Sequence, residues 1–160
     1  MTQYYLYGVA ALVLLFLFII IKLVSHQSYP YYKNPYFISY AERAFYRVLD
    51  DIIPPGYYIF CQVSLNSLLK IDRYGKDYWY YLNRIRQKSV DFVIVDAHTF
   101  DAQLVIELDD VSHTYPKRIE RDALVNEVLT KAKIHFLRIQ NAKTYNRAEL
   151  KEKIRMGLKE

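Results

Sequence analysis

Cysteine is nearly missing from this chain. Cys61 stands alone among 160 residues, which excludes an internal disulfide framework and a thiolate-rich zinc site and leaves no disulfide partner to expect. Glycine and proline are also scarce, at four and five residues. With 52% hydrophobic residues, that excludes a collagen-like, disordered or low-complexity protein. Charge is missing from one end: none occurs from Thr2 to Ile21, and no Lys or Arg precedes Lys22. The length argues for one full-sized domain rather than two. Tyrosine is abundant, with 17 residues, and the net charge of +5 leans towards an anionic partner.

The uncharged end carries an unbroken run of Val, Ala, Leu, Phe and Ile from Val9 to Ile21. Read as one helix, Tyr4 to Val24 is about 31 Å long, enough to cross a bilayer core. Tyr4, Tyr5 and Tyr7 mark one end, and Lys22, Tyr29, Tyr31 and Tyr32 follow the other, as interfacial residues do. A cleaved signal peptide would need a basic n-region and an A-x-A-like site, and neither is present. The reading is therefore a retained membrane anchor over 1–24, a juxtamembrane linker over 25–36 and an α/β domain over 37–160. Lys22, Lys33, Arg43 and Arg47 all follow the span. The positive-inside bias then implies a single-pass membrane protein, N-terminus out and domain in the cytoplasm.

In the domain, Ile38, Ala41, Phe45, Val48, Leu49 and Ile52 recur at helical spacing, which predicts a helix over about 40–51 that Pro54-Pro55-Gly56 stops. Strands are expected at 58–65, 90–95, 103–108 and 134–139. A helix opened by Pro116 carries Leu124, Val125, Val128, Leu129 and Ala132, and Asn146 with Glu149 caps a last one. Residues 66–87 read as aromatic and partly helical. The expected order is helix, three strands, helix, strand, helix.

The chemistry gathers on the second and third strands. Alternation puts Val90, Phe92 and Ile94 on one face and Asp91, Val93 and Val95 on the other; Val105, Glu107 and Asp109 share a face of the next strand. If the strands form a hairpin in which Asp96 faces Ala102, counting outward sets Asp91 opposite Glu107. Opposed residues have Cβ atoms about 5 Å apart, and like charges there are destabilising. Such carboxylates need raised pKa values or a cation between them, and Mg²⁺ binds through one or two carboxylates plus water and phosphate. The alternative is that the register differs and the acids end their strands in solvent.

The string Val90-Asp91-Phe92-Val93-Ile94, then Val105-Ile106-Glu107-Leu108-Asp109-Asp110 and His113, resembles the PD-(D/E)XK nuclease superfamily, particularly the branch around the very-short-patch-repair endonuclease. It is most similar to the bacterial domain of unknown function 2726. Glu42, Gln62, Asp122 and Leu137-Arg138-Ile139 add to the resemblance, which covers about 39–139. It implies a restriction-endonuclease-like mixed sheet carrying a phosphodiesterase site. Asp91 and Glu107, with the Leu108 carbonyl, would hold Mg²⁺ or Mn²⁺. Glu42 would hold the attacking water, Gln62 would belong to the same catalytic set, and His113 would act as general base or assist the leaving group. The lysine of the superfamily's E-x-K is replaced by Asp109, so the positive charge beside the scissile phosphate must come from elsewhere, with Arg118, Arg121 or a second metal as candidates.

Each residue also has an ordinary explanation. Ser39-x-x-Glu42 is a capping box, Gln62 an edge-strand polar residue and His113 a loop histidine, and Asp122 sits at helical spacing to pair with Arg118. From Pro116 onward there are twelve Lys or Arg against six acids. Lys117, Arg118, Arg121, Lys131 and Lys133 are candidates to contact nucleic-acid phosphates, with a solvated helix face or anionic lipid as alternatives. The Tyr78-Trp79-Tyr80-Tyr81 run suits base stacking or, as the commoner arrangement, packing in a core or against a partner. The functional expectation is a membrane-anchored, metal-dependent endonuclease acting on DNA. The alternatives are an inactive nuclease-fold module that binds nucleic acid, and a membrane-tethered interaction domain.

Overall fold

The computed structural model describes residues 1–25, 30–109 and 116–158, the side chains of 24–25 and 116–118 excepted. The chain divides into two units, Met1–Pro35 and Tyr36–Glu160. The first is built on one helix, α1 (Thr2–Ser25), whose stretch Thr2–Leu23 is long and apolar enough to span a membrane.

In the second unit, α2 (Tyr40–Ile52) leads into β1 (Tyr57–Ser64). Two helices not separated in the expected order follow, α3 (Leu65–Leu68) and α4 (Gly75–Ile85). Next come β2 (Ser89–Asp96), β3 (Ala102–Asp109), α5 (Pro116–Lys131), β4 (His135–Gln140) and α6 (Arg147–Leu158). The sheet is mixed and ordered β1-β2-β3-β4; the first three strands are antiparallel, and β4 runs parallel to β3 after the α5 crossover. Helix α2 starts on a complete capping box at Ser39 and Glu42 and ends at Ile53, just before Pro54.

Helices cover both faces. Phe45, Leu49 and Ile52 of α2 and Leu150, Ile154 and Leu158 of α6 pack on Phe92, Ile94, Leu104 and Ile106. Val125 and Leu129 of α5, with Leu65 and Ile85, pack on Val93, Val95 and Val105. This explains why β2 and β3 are apolar almost throughout: a strand sandwiched between helices has no solvent face. Both clusters lie wholly within the second unit.

Three expectations need correction. Val95, not Asp96, faces Ala102, because a bulge between Ile94 and Val95 absorbs one residue; beyond it Ile94↔Leu104, Val93↔Val105 and Phe92↔Ile106 follow the expected count. Val90 packs with Val93 and Val95 rather than with Phe92 and Ile94. Its partner strand carries Gln62 in the left-handed region at φ 53°, between the pairs Cys61↔Phe92 and Val63↔Val90, and β2 leaves its β3 ladder after Phe92. Alternation is broken there. The Tyr78–Tyr81 run is not a core: Trp79, Tyr80 and Tyr81 are exposed and only Tyr78 is half-buried.

Candidate active site

At the end of the sheet away from the β2–β3 turn, the two strands part and a pocket of about 190 Å³ opens. Ser39, Ala41 and Glu42 approach it from α2, Asp91 from β2, Glu107, Leu108 and Asp109 from β3, and Arg121 and Asp122 from α5. Strand separation is what admits a side chain into the plane of the sheet. The N–H of Leu108, beyond the last rung, donates to Asp91 Oδ2 at 2.8 Å in place of a ladder bond. Asp91 is thereby fixed beside Glu107, and the two carboxyl groups line the same pocket and perturb one another's pKa.

Glu107 is only 5% exposed, and its Oε1 is buried with no hydrogen-bond partner. A buried carboxylate oxygen left in that state is costly. Burial, then the charge of Asp91, push the Glu107 carboxyl up to about 8, against the pull of Arg121 and Arg138. Asp91 is also raised, by burial first and by Glu42, although the Leu108 N–H bond holds it down.

Glu42 has two jobs at once. Its Oε2 accepts from the Ser39 N–H at 2.6 Å, closing the capping box, and its Oε1 accepts from the Gln62 side-chain amide. Gln62 Oε1 in turn accepts from the Ser89 hydroxyl at 3.3 Å, and the Ser89 carbonyl accepts from Arg121 Nη2 at 3.0 Å. A left-handed backbone at a non-glycine residue is strained. At Gln62 it coincides with the side chain that joins α2 to the start of β2.

Asp109 does not stand free in the lysine position. Arg138 Nη1 donates to both of its oxygens, at 3.0 and 3.3 Å, while Arg138 Nη2 donates to Asn126 Oδ1 at 3.1 Å. Asp122 lies between two guanidinium groups, 3.5 Å from Arg121 and 3.6 Å from Arg138. Arg138 and Asn126 received no role from the sequence, although a lone cation in an apolar strand is the same signal that singles out Asp91 and Glu107.

The pocket therefore brings together Asp91, Glu107, Leu108, Asp109, Glu42 and Arg121, with Gln62 bonded to Glu42 behind it. Lys131 and Lys133 are exposed and lie outside this lining. His113 and the side chains of Lys117 and Arg118 fall outside the described residues. Among the described residues, no group of three or more His, Cys, Asp and Glu is set to hold a metal ion. Burial and then the charge of Glu42 raise the Cys61 thiol pKa, which lowers its thiolate fraction.

A family model described as "Protein of unknown function (DUF2726)" matches residues 35–157. An uncharacterized protein of Haemophilus influenzae is 31% identical over 122 residues, which are 74% of this chain and 60% of that protein. The matched region thus spans less than two thirds of the relative. No solved structure matches the chain.

Proposed function

We propose, from the premise that this chain belongs to the DUF2726 family, that the Asp91–Glu107 pair is the centre of a metal-dependent phosphodiesterase acting on DNA, of the PD-(D/E)XK type and on a restriction-endonuclease-like sheet. One observation carries the reading: two carboxylates share a pocket in which a Glu107 oxygen is buried without a partner. The donors are all hard oxygens, two carboxylates and the Leu108 carbonyl, which fits Mg²⁺ or Mn²⁺. When bound, such an ion supplies a fixed positive charge for a phosphate oxygen and acidifies water.

The chain's own groups do the rest. Glu42 Oε1, oriented by Gln62, is the acceptor that can hold a water on the α2 side of the pocket. Arg121, lining the pocket and half-buried, is placed to meet the phosphate charge that the absent lysine would have met. Asp109 is neutralised by Arg138, so it adds little repulsion towards an anionic substrate. The span Thr2–Leu23, with Lys22, Lys33, Arg43 and Arg47 at and after its C-terminal end, supports a membrane-anchored enzyme with its domain in the cytoplasm.

The test is plasmid nicking by the full chain in detergent, with Mg²⁺ and Mn²⁺, beside Asp91→Ala and Glu107→Ala. The expected result is metal-dependent nicking that each substitution reduces at least about a hundredfold. Salt-sensitive DNA binding without cleavage by the unsubstituted chain would overturn hydrolysis in favour of a binding module.

A further inference from the structure

A Trp or Tyr ring on the outer face of a surface helix normally turns inward or is replaced by a polar residue; α4 does the reverse. Its inner side carries Tyr78, Leu82 and Ile85, while Lys76, Trp79, Tyr80 and Arg86 are exposed. Trp79 is 59% and Tyr80 60% exposed, and Arg84 lies over the Tyr80 ring, 6.0 Å from its centroid. Positions 76, 79, 80 and 83 form one helical stripe. From Lys70 to Lys88 there are six Lys or Arg against two acids. Exposed aromatic area of this kind marks an interaction surface.

A groove of about 570 Å³ lies beside this stripe. Its floor is apolar, from Ile71, Ile85 and Val128, and Lys70, Arg73 and Lys131 outnumber Asp72 around it. The Arg84–Glu127 ion pair, 3.5 Å, ties α4 to α5 there. An apolar floor with a cationic rim suits an amphiphile with an anionic head; a nucleic-acid strand would leave that floor unused.

We infer that the α4 face and its groove dock the domain on the surface of an anionic lipid bilayer. The inference is separate from the hydrolase reading and uses only its membrane span. Between Leu23 and Tyr36 the chain reaches at most about 40 Å. A unit the size of Tyr36–Glu160 has a radius of gyration of about 14 Å, so every face of it can reach the headgroups. Tethering supplies the local concentration, and surface chemistry then selects the face. Trp and Tyr with Lys and Arg are the residues that settle at the headgroup level, and each basic residue there contributes about 1 kcal/mol on anionic lipid.

Trp79 is the only tryptophan of the chain, so it reports on its own face. The full chain is reconstituted in nanodiscs of phosphatidylcholine alone or mixed with phosphatidylglycerol. Retention on the disc after a high-salt wash reads the span, and Trp79 emission reads docking. Docking predicts a blue shift and about twofold quenching by brominated lipid in the anionic discs. High salt should reverse both, as should the combined substitution Lys70→Glu, Arg73→Glu and Lys76→Glu. These three residues are exposed, and far-UV circular dichroism checks that the fold persists. Emission unchanged between the two discs, with the chain retained on both, overturns the inference. A shift that appears only on adding oligothymidylate overturns it too, and assigns the face to single-stranded nucleic acid.

Discussion

Asp91 and Asp96 lie on the same strand, five residues apart, and end in opposite states. Asp96 sits at the turn, where its Oδ1 accepts from the N–H groups of His98 and Thr99, both at 2.8 Å. Those bonds hold its carboxyl below the usual range. Asp91 sits where the strands part, half-buried beside Glu107 and facing the charge of Glu42, and its carboxyl is raised. One carboxylate is satisfied by the backbone it terminates. The other gets one N–H, from Leu108, and a crowd of like charge. Location at a strand end does not distinguish them; the company does, and only the second arrangement would be relieved by a bound proton or a cation.

The largest effect should come from removing the charge that crowds Asp91. Glu107 is pushed up to about 8 from an ordinary value of 4.5. Between those limits the folded protein holds a proton that the unfolded chain has released, so metal-free stability falls as pH rises through that window. Glu107→Gln should remove the slope and raise Tm at pH 8 by several degrees, a gain on the order of a few kcal/mol. Mg²⁺ should stabilise the unsubstituted protein at that pH and leave Glu107→Gln unmoved. Thermal melts across pH 5 to 8, with and without Mg²⁺, read both. A flat profile for the unsubstituted protein would mean that Glu107 titrates like Asp96, and the contrast would be gone.

Arg138 tests the same contrast from the cationic side. It holds Asp109 and Asn126 and draws the Glu107 carboxyl down. Arg138→Met keeps much of the stem and deletes the charge, so the cost should be about 1–2 kcal/mol, discounted because the pair is partly exposed. The decline in metal-free stability should then extend to higher pH, since one of the groups holding Glu107 down is lost. A loss of stability with no change in the pH profile would confine Arg138 to packing.

The register from Ile94↔Leu104 to Phe92↔Ile106 was legible by counting outward from a short hairpin loop, but the ladder ends there, so Asp91 and Glu107 meet where the strands part and not as a rung. The bulge at Ile94/Val95 was not legible. Nothing in Ala97–Asp101 marks it, and it shifts only the rungs next to the turn. The capping box at Ser39 and Glu42 was readable as a helix start, but not that the second oxygen of Glu42 would also meet Gln62. That contact joins two elements, and spacing within one element carries no trace of it. The Tyr78–Tyr81 run left core and partner packing both open for a different reason. Aromatic rings serve cores and interfaces alike, and only the direction of α4 decides between them.

The smallest effect should come from Asp96. Asp96→Ala deletes the acceptor of two turn N–H groups that water can reach and replace, so only a slight loss of Tm is expected. Its carboxyl is lowered, so the stability it adds is fully present above the ordinary aspartate range near 3.9 and disappears as pH falls through the depressed value. The substituted and unsubstituted proteins should therefore converge in acid and differ at neutral pH, the reverse of the profile that Glu107→Gln removes. Mg²⁺ affinity should be unchanged, because Asp96 lies at the turn end of β2 and outside the pocket lining. If Asp96→Ala weakened Mg²⁺ binding as strongly as Asp91→Ala, the ion would have to sit at the turn, and parting of the strands would no longer be what makes the site.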